Sequence, residues 1–262
     1  MQVKGDGDFK VTFENDVAII TMCKGENKIN IEFIEQMCAA LDKVLENPAV
    51  KTVVTTGQGR FYSNGFDLKW IAELGLESTL NFMRKYSQML AKILTFPLTT
   101  VAAVNVSWDI YEAKLVALLA IDIKHPRSNP GRAISEGHAY AGAALISLAH
   151  DHIIMQTDRG WWCMNEVHLN LKIPYDLLGL LKEKLSSGQT VHEVVVLGKR
   201  YTAKEALRCG IVHEICAPTD LMPTVFSWIN NNLPKAGYDR EHLQTMKEDL
   251  YKDTVVALKA KL

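Results

Sequence analysis

Two segments of the chain combine glycine with small residues in patterns that could bind a ligand. Residues 57–68, GQGRFYSNGFDL, follow a short run of β-branched residues, and glycines there let the backbone turn sharply and approach a ligand closely. Residues 137–144, GHAYAGAA, place small side chains where a helix would begin. The free N–H groups of a helix entrance form a natural anion site. Neither segment has Lys or Ser at P-loop spacing, so a nucleotide cradle is not predicted.

A third segment, residues 158–169, contains one acidic side chain that could act as a base. An apolar environment would raise the pKa of Glu166 and make it a more competent general base near neutral pH. The alternative is a glutamate on a surface turn. The apolar neighbours of Glu166 in the sequence are Trp162, Met164, Val167 and Leu169.

Other reaction chemistries have little support. The histidines near these segments, His138, His150 and His168, have no HxxxH or His/Cys spacing, so no metal site is predicted. Ser63 has no partner His and Asp in an evident order, which argues against a serine hydrolase.

Composition narrows the class of protein. The chain has 262 residues, 48% hydrophobic and 23% charged, enough for one sizeable core with or without a small helical appendage. Its 29 basic and 30 acidic residues give no excess charge that would attract nucleic acid. No apolar run approaches the roughly 20 residues of a membrane span, and no secretory signal is visible. Five scattered cysteines without CxxC spacing indicate reduced thiols, so we expect a soluble intracellular protein.

Hydrophobic periodicity alternates between strands and helices, which predicts an α/β architecture with a helical C-terminal part. The predicted strands cover residues 10–14, 17–22, 53–56, 100–104, 153–156 and 211–215. The predicted helices begin at Ile31 after an Asn30 cap, run over residues 80–94 and 139–149, and begin again after Pro174, at the Thr202 capping box and from Leu221.

One stretch disturbs this order. Residues 106–136 separate a predicted strand from a predicted helix that would normally need only a few linking residues. They have a mixed composition and include the sequence HPRSNPG, which is rich in breakers.

The three segments 57–68, 137–144 and 158–169 together resemble the crotonase, or enoyl-CoA hydratase/isomerase, superfamily. The resemblance covers nearly the whole chain except residues 106–136. The SNGFDL form of the first segment is most similar to monofunctional peroxisomal Δ3,Δ2-enoyl-CoA isomerases. The resemblance implies a crotonase-type spiral of ββα units over residues 1–200, with an atypical insertion at 106–136. It also implies a helical region at 201–262 that forms a homotrimer or hexamer.

The resemblance further implies an acyl-CoA thioester substrate, with CoA as part of that substrate and no separate cofactor or metal. The N–H groups of Asn64 and Gly142 would bind the thioester oxygen, and Glu166 would be the catalytic base. The residues implied to contact substrate are Asn64, Gly65, Phe66, Asp67, Leu68, Gly142 and Asn165.

The residue three positions after Gly142 distinguishes two reactions within this family. Hydratases carry a second glutamate there, but this chain has Leu145. This favours isomerisation of 3-enoyl-CoA to 2-trans-enoyl-CoA in fatty-acid β-oxidation, for which one carboxylate suffices. The alternatives are an enoyl-CoA hydratase or another crotonase-fold acyl-CoA enzyme, and an acyl-CoA-binding protein whose catalysis the insertion impairs. The insertion itself could be genuine or an unspliced intron.

The chain ends in Ala260-Lys261-Leu262, which resembles the Ser-Lys-Leu tripeptide that the peroxisomal import receptor binds. We therefore expect the protein in peroxisomes.

Overall fold

A computed structural model describes residues 8–59, 61–105, 138–157 and 160–260. The predicted insertion at 106–136 and the last two residues of the C-terminal tripeptide lie outside these ranges. None of the helices within them is long and apolar enough to cross a lipid bilayer.

Within the described residues, six strands form a large sheet in the order β1 (Phe9–Glu14), β2 (Val17–Met22), β3 (Thr52–Gly57), β4 (Thr99–Val104), β6 (His152–Gln156) and β8 (Glu214–Cys216). β1 and β2 are antiparallel, as the predicted hairpin requires, and every later pairing in this sheet is parallel. β3 and β4 are almost wholly buried, which explains their continuous apolar and threonine runs. The two other strands are β5 (His138–Tyr140) and β7 (Trp161–Cys163).

Helices cover the sheet, and their ends follow the sequence signals. The side chain of Asn30 accepts a hydrogen bond from the N–H of Phe33 at 3.0 Å, and a capping box at Thr202 begins a later helix. The helices are α1 (Ile31–Leu45), α2 (Leu68–Ala72), α3 (Leu76–Leu94), α4 (Gly142–Leu148), α5 (Tyr175–Lys184), α6 (Gly188–Val195), α7 (Ala203–Arg208), α8 (Leu221–Asn232), α9 (Arg240–Leu250) and α10 (Lys252–Lys259).

β5 and β7 pair in parallel as a second, small sheet. Isolated bridges extend it on both sides, from Ser63 to Ala139 and from Trp162 to Tyr201. The chain thus alternates between the two sheets: β4 is followed along the described chain by β5 and α4, and β6 by β7 and α5. This is the predicted α/β fold built from ββα units.

Two predicted boundaries are wrong. The helix predicted over residues 139–149 begins only at Gly142, because Ala141 has a positive φ of 50° and His138–Tyr140 form β5. The last predicted strand, 211–215, is displaced to Glu214–Cys216, where it pairs with β6.

The region after residue 200 is not purely helical, because it supplies β8 to the large sheet. Its helices also pack onto the core of the same chain. The buried Lys247 Nζ donates to the carbonyl oxygens of Phe96 at 3.0 Å and Leu98 at 2.9 Å. It also pairs with Asp151 Oδ2 at 2.6 Å. A buried cation with three acceptors fixes α9 against the segment that leads into β4.

Candidate active site

The small sheet holds three backbone segments in one parallel register. Ser63 bridges Ala139 in parallel, and Ala139 pairs with Trp162 in the β5–β7 ladder. The carboxyl ends of parallel strands meet at the same edge of a sheet, so the residues that follow these three positions emerge together.

The residues that follow these three positions include the groups that could take part in a reaction. Phe66 comes three residues after Ser63, Gly142 three after Ala139, and Glu166 four after Trp162. Two backbone N–H groups and one carboxylate therefore lie at one edge of the small sheet.

Two asparagines shape the loop between β3 and α2. The Asn27 side chain donates to two carbonyl groups of the loop, those of residues 61 and 62, at 3.1 Å each. The Asn105 side chain accepts from the Gly57 N–H at 2.9 Å and donates to the Gly59 carbonyl at 2.8 Å. Both asparagines are buried, so their amide groups stabilise a loop that lacks regular backbone pairing.

The N–H of Asn64 is not available to a thioester oxygen, contrary to the sequence-based expectation. It donates to the carbonyl oxygen of Glu26 at 2.9 Å, and the Asn64 side chain lies 3.4 Å from the Glu26 carboxylate. Asn64 holds the loop against the turn before α1.

Phe66 has a free N–H in this loop. Its two neighbours both pair with Ile29, which donates to the Gly65 carbonyl at 2.8 Å and accepts from the Asp67 N–H at 3.0 Å. In such a parallel bridge the intervening residue directs its own N–H away from the partner strand. No acceptor for the Phe66 N–H exists among the residues that the structure describes.

Gly142 provides a second free N–H. It is the first residue of α4, and its N–H has no acceptor in the described part of the chain. A Cβ on Gly142 would lie 3.0 Å from Ile29 Cδ1 and 3.0 Å from Phe66 Cε1, so the two donor segments are in contact. The buried Tyr86 hydroxyl donates to the Gly142 carbonyl at 2.6 Å and fixes this first turn.

Gly65 explains why the loop can approach β5 so closely. Its φ is +76°, and a Cβ there would lie only 2.6 Å from the Tyr140 carbonyl oxygen. Any other residue would clash with that backbone and take up a left-handed conformation.

Glu166 is a buried carboxylate with unused hydrogen-bonding capacity. It begins the short 3-10 turn Glu166–Leu169, and only 9% of its surface is exposed. Its Oε2 has no hydrogen-bond partner among the described residues. Loss of solvent raises the pKa of this carboxyl group, because burial penalises the charged form. Burial first, and then the charge of Glu166, raises the pKa of Tyr86, which therefore stays protonated.

The remaining predicted site residues have varied surroundings. Asp67 caps α2, since its carboxylate accepts from the Trp70 N–H at 3.3 Å. Leu68 is exposed, and Asn165 is half-buried directly before Glu166. Leu145 is buried in the core, so an apolar side chain fills its position in α4.

Sequence analysis missed three residues that shape this site. Tyr86 belongs to the apolar stripe of α3, where its hydroxyl gives no separate signal. Asn27 and Asn105 lie outside the glycine segments they stabilise. The only local signal was the residue type at position 27. Asparagine tolerates a positive φ better than most residues, and Asn27 has a φ of 49°.

The chain is similar to several known proteins. Enoyl-CoA delta isomerase 3 of Arabidopsis thaliana is 27% identical over 202 residues, which are 75% of this chain and 72% of that protein. Enoyl-CoA delta isomerase 1, peroxisomal, of the same plant is 21% identical over 234 residues, 88% of this chain and 84% of that protein. The crystal structure of human mitochondrial delta3-delta2-enoyl-CoA isomerase superimposes with a TM-score of 0.78 at 19% identity, covering 96% of this chain and 86% of that one.

The family match extends over most of the sequence. The enoyl-CoA hydratase/isomerase family matches residues 12–107 and 132–262. The gap between the two matched stretches falls inside the predicted insertion. A match that spans both sheets and the C-terminal helices is more than a shared local motif, and the chain belongs to the enoyl-CoA hydratase/isomerase family.

Proposed function

We propose that this chain is a Δ3,Δ2-enoyl-CoA isomerase, which converts 3-enoyl-CoA to 2-trans-enoyl-CoA in fatty-acid β-oxidation. The observation that supports it best is Glu166, a buried carboxylate with a raised pKa at the sheet edge where two N–H groups are free. The names of the Arabidopsis relatives and of the human structure support the same reaction.

In the first step, Glu166 takes a proton from the α-carbon of the acyl chain. The electron pair of that C–H bond moves toward the thioester carbonyl, and negative charge develops on its oxygen. We propose that the N–H groups of Phe66 and Gly142 donate to this oxygen. Losing one such donor typically raises the barrier by about 3–4 kcal/mol, so two fixed donors matter greatly.

In the second step, the protonated Glu166 returns its proton to the γ-carbon. The double bond then lies between the α- and β-carbons, and the enzyme regains its starting charge. A raised pKa suits both steps, because the carboxylate must accept a proton from a weak carbon acid and then release it.

The single carboxylate favours isomerisation over hydration. Adding water needs a second acid or base to position it, and Leu145 fills the position where hydratases carry that glutamate. The rival functions are a hydratase, another acyl-CoA enzyme of this fold, and an acyl-CoA-binding protein impaired by residues 106–136. We regard that segment as an insertion, and no step of the proposed mechanism uses it.

We also propose that the chain forms a homotrimer or hexamer through residues 201–262. α9 and α10 attach to the core of their own chain, yet they keep large apolar side chains exposed. These are Met246, Leu250 and Val256.

Peroxisomal import is the localisation we propose. It is supported by the resemblance of the final tripeptide to a receptor-binding signal and by the peroxisomal name of one Arabidopsis relative.

The reaction can be tested with purified protein and two substrates. Wild-type protein should shift the double bond of 3-enoyl-CoA much faster than it hydrates 2-trans-enoyl-CoA, as followed by absorbance of the conjugated thioester. Glu166→Gln should lower kcat by about 10²–10⁴, the usual contribution of a general base, while acyl-CoA binding changes little. Glu46→Gln, at an exposed helix end, is the control. Comparable hydration would indicate a hydratase, and binding without turnover would indicate the impaired protein.

The pH dependence of the free energy of unfolding should show the burial of Glu166 without any activity assay. A glutamate in the unfolded chain ionises at a pKa of about 4.3, below that of buried Glu166. Protonated Glu166 makes its full contribution to the free energy of unfolding below the pKa of the unfolded chain. That contribution is lost as the pH rises through the higher pKa of Glu166 in the folded protein. Glu166→Gln should therefore gain stability relative to wild type across that window, measured by urea unfolding at a series of pH values. A difference that does not change with pH would contradict the burial argument.

Localisation can be tested in cells. A fluorescent protein fused ahead of the intact C-terminus should collect in peroxisomes, and deleting Ala260-Lys261-Leu262 should release it to the cytosol. Diffuse fluorescence from the intact fusion would show that the tripeptide is not a signal.

A further inference from the structure

A buried histidine just past α4 has no role in the reaction described above. His150 is 1% exposed, and both ring nitrogens have partners. Its Nδ1 lies 2.8 Å from the Ile146 carbonyl oxygen, and its Nε2 lies 2.9 Å from Thr55 Oγ1. Thr55 Oγ1 in turn lies 2.8 Å from the Tyr62 hydroxyl. Thr55 and Tyr62 are both fully buried.

The direction of every hydrogen bond in this chain of groups follows from elementary chemistry. A carbonyl oxygen only accepts, so Nδ1 of His150 carries a proton and donates to Ile146. Burial lowers the pKa of His150 to about 4, so the ring is neutral near neutral pH and Nε2 must accept from Thr55. The Thr55 hydroxyl has then used its only proton, so it accepts from Tyr62.

The two ends of this chain belong to the two elements that carry the free N–H groups. Tyr62 lies four residues before Phe66 in the same loop, and Ile146 lies four residues after Gly142 in α4. Thr55 lies in β3, and His150 lies between α4 and β6. The connection therefore runs through the large sheet, independently of the small-sheet contacts.

We propose that Tyr62, Thr55 and His150 are positioning residues that fix the loop and α4 relative to one another, and with them the two N–H groups that bind the thioester oxygen. This inference rests on the proposed function. None of the three residues is required to touch substrate.

This connection restrains the loop relative to α4 at a place where the other contacts do not. The bridge from Ser63 and the close approach of Gly65 to Tyr140 join the two segments at the small sheet only. The hydrogen bonds of Asn27, Asn64 and Asn105 hold the loop to other elements but not to α4. A second connection between the loop and α4 therefore limits how far one can tilt relative to the other. A displacement of about 1 Å near reacting groups can lower the rate by about a hundredfold. Buried hydrogen-bond networks in which every group has a partner are suited to this role, because they favour a single arrangement of the side chains.

Paired substitutions at Thr55 separate positioning from simple packing. Thr55→Val keeps the shape of the side chain and removes both hydrogen bonds, whereas Thr55→Ser removes a methyl group and keeps both. Positioning predicts a kcat about tenfold lower for Thr55→Val, with KM within about twofold of wild type, and a kcat near wild type for Thr55→Ser. A packing role predicts that Thr55→Ser is the more damaged variant.

Tyr62→Phe removes the outer hydroxyl alone and should lower kcat in the same direction. Its effect should not add to that of Thr55→Val, because both break one chain of hydrogen bonds. The matched control is Tyr201→Phe, which removes a buried tyrosine's hydroxyl bond to Glu193 at 3.0 Å and leaves the Tyr62–Thr55–His150 hydrogen bonds intact. The control should keep wild-type kcat.

A spectroscopic measurement can show whether the site polarises the thioester carbonyl, without any turnover. A conjugated dienoyl-CoA should absorb at longer wavelength when its carbonyl is polarised in the wild-type site. The shift should be smaller in Thr55→Val and Tyr62→Phe, and unchanged in Thr55→Ser and Tyr201→Phe. If wild type isomerises 3-enoyl-CoA while Thr55→Val and Tyr62→Phe keep full kcat and the full shift, this inference alone is wrong. A wild type that neither binds nor converts the thioester would refute the proposed function and this inference together.

Discussion

The parallel register of the small sheet is the constraint on which the site depends. Three backbone segments that are far apart in sequence are aligned because Ser63 bridges Ala139 and Ala139 pairs with Trp162. A one-residue slip in either pairing would reverse which groups face the site, since neighbouring residues of a strand point in opposite directions. The large sheet and its helices support this alignment, because each small-sheet segment follows a strand of the large sheet along the described chain.

The same edge of the small sheet concentrates features that oppose folding. Glu166 is buried without a partner for Oε2, Ala141 has a positive φ, and two N–H groups lack acceptors among the described residues. A strained backbone position such as Ala141 typically costs about 1–3 kcal/mol. These features persist because the surrounding core is extensive and well paired. The reaction that we propose would require donors and a base that stay unsatisfied until substrate binds, which would explain why these features occur together.

Sequence reasoning succeeded where the signal was local. Asn30, Thr202 and Pro174 each mark a helix start through their own chemistry, and the structure places the helices there. It failed where a distant segment decides the outcome. Ala139 and Tyr140 have a composition typical of a helix, yet pairing with β7 makes them a strand.

The expectation that the Asn64 N–H is free to bind substrate failed for the same reason. The motif located the loop, but the direction of each N–H depends on pairing with Glu26 and Ile29, more than thirty residues earlier. The burial and raised pKa of Glu166 could be anticipated from its apolar sequence neighbours, whereas its role as a base rested on the family resemblance. The hydrogen-bonded chain through His150 could not be anticipated, since its central contact joins Thr55 to His150, which are 95 residues apart in sequence.

A crystal structure with a bound, non-reactive acyl-CoA thioester would test the central claim most directly. We expect the thioester oxygen to lie about 2.7–3.1 Å from both the Phe66 and Gly142 nitrogens, the distance typical of an oxyanion site. We also expect the Glu166 carboxylate to face the α-carbon and to lie within reach of the γ-carbon. An oxygen bound by the Asn64 N–H, or an acyl chain remote from Glu166, would contradict the proposed mechanism.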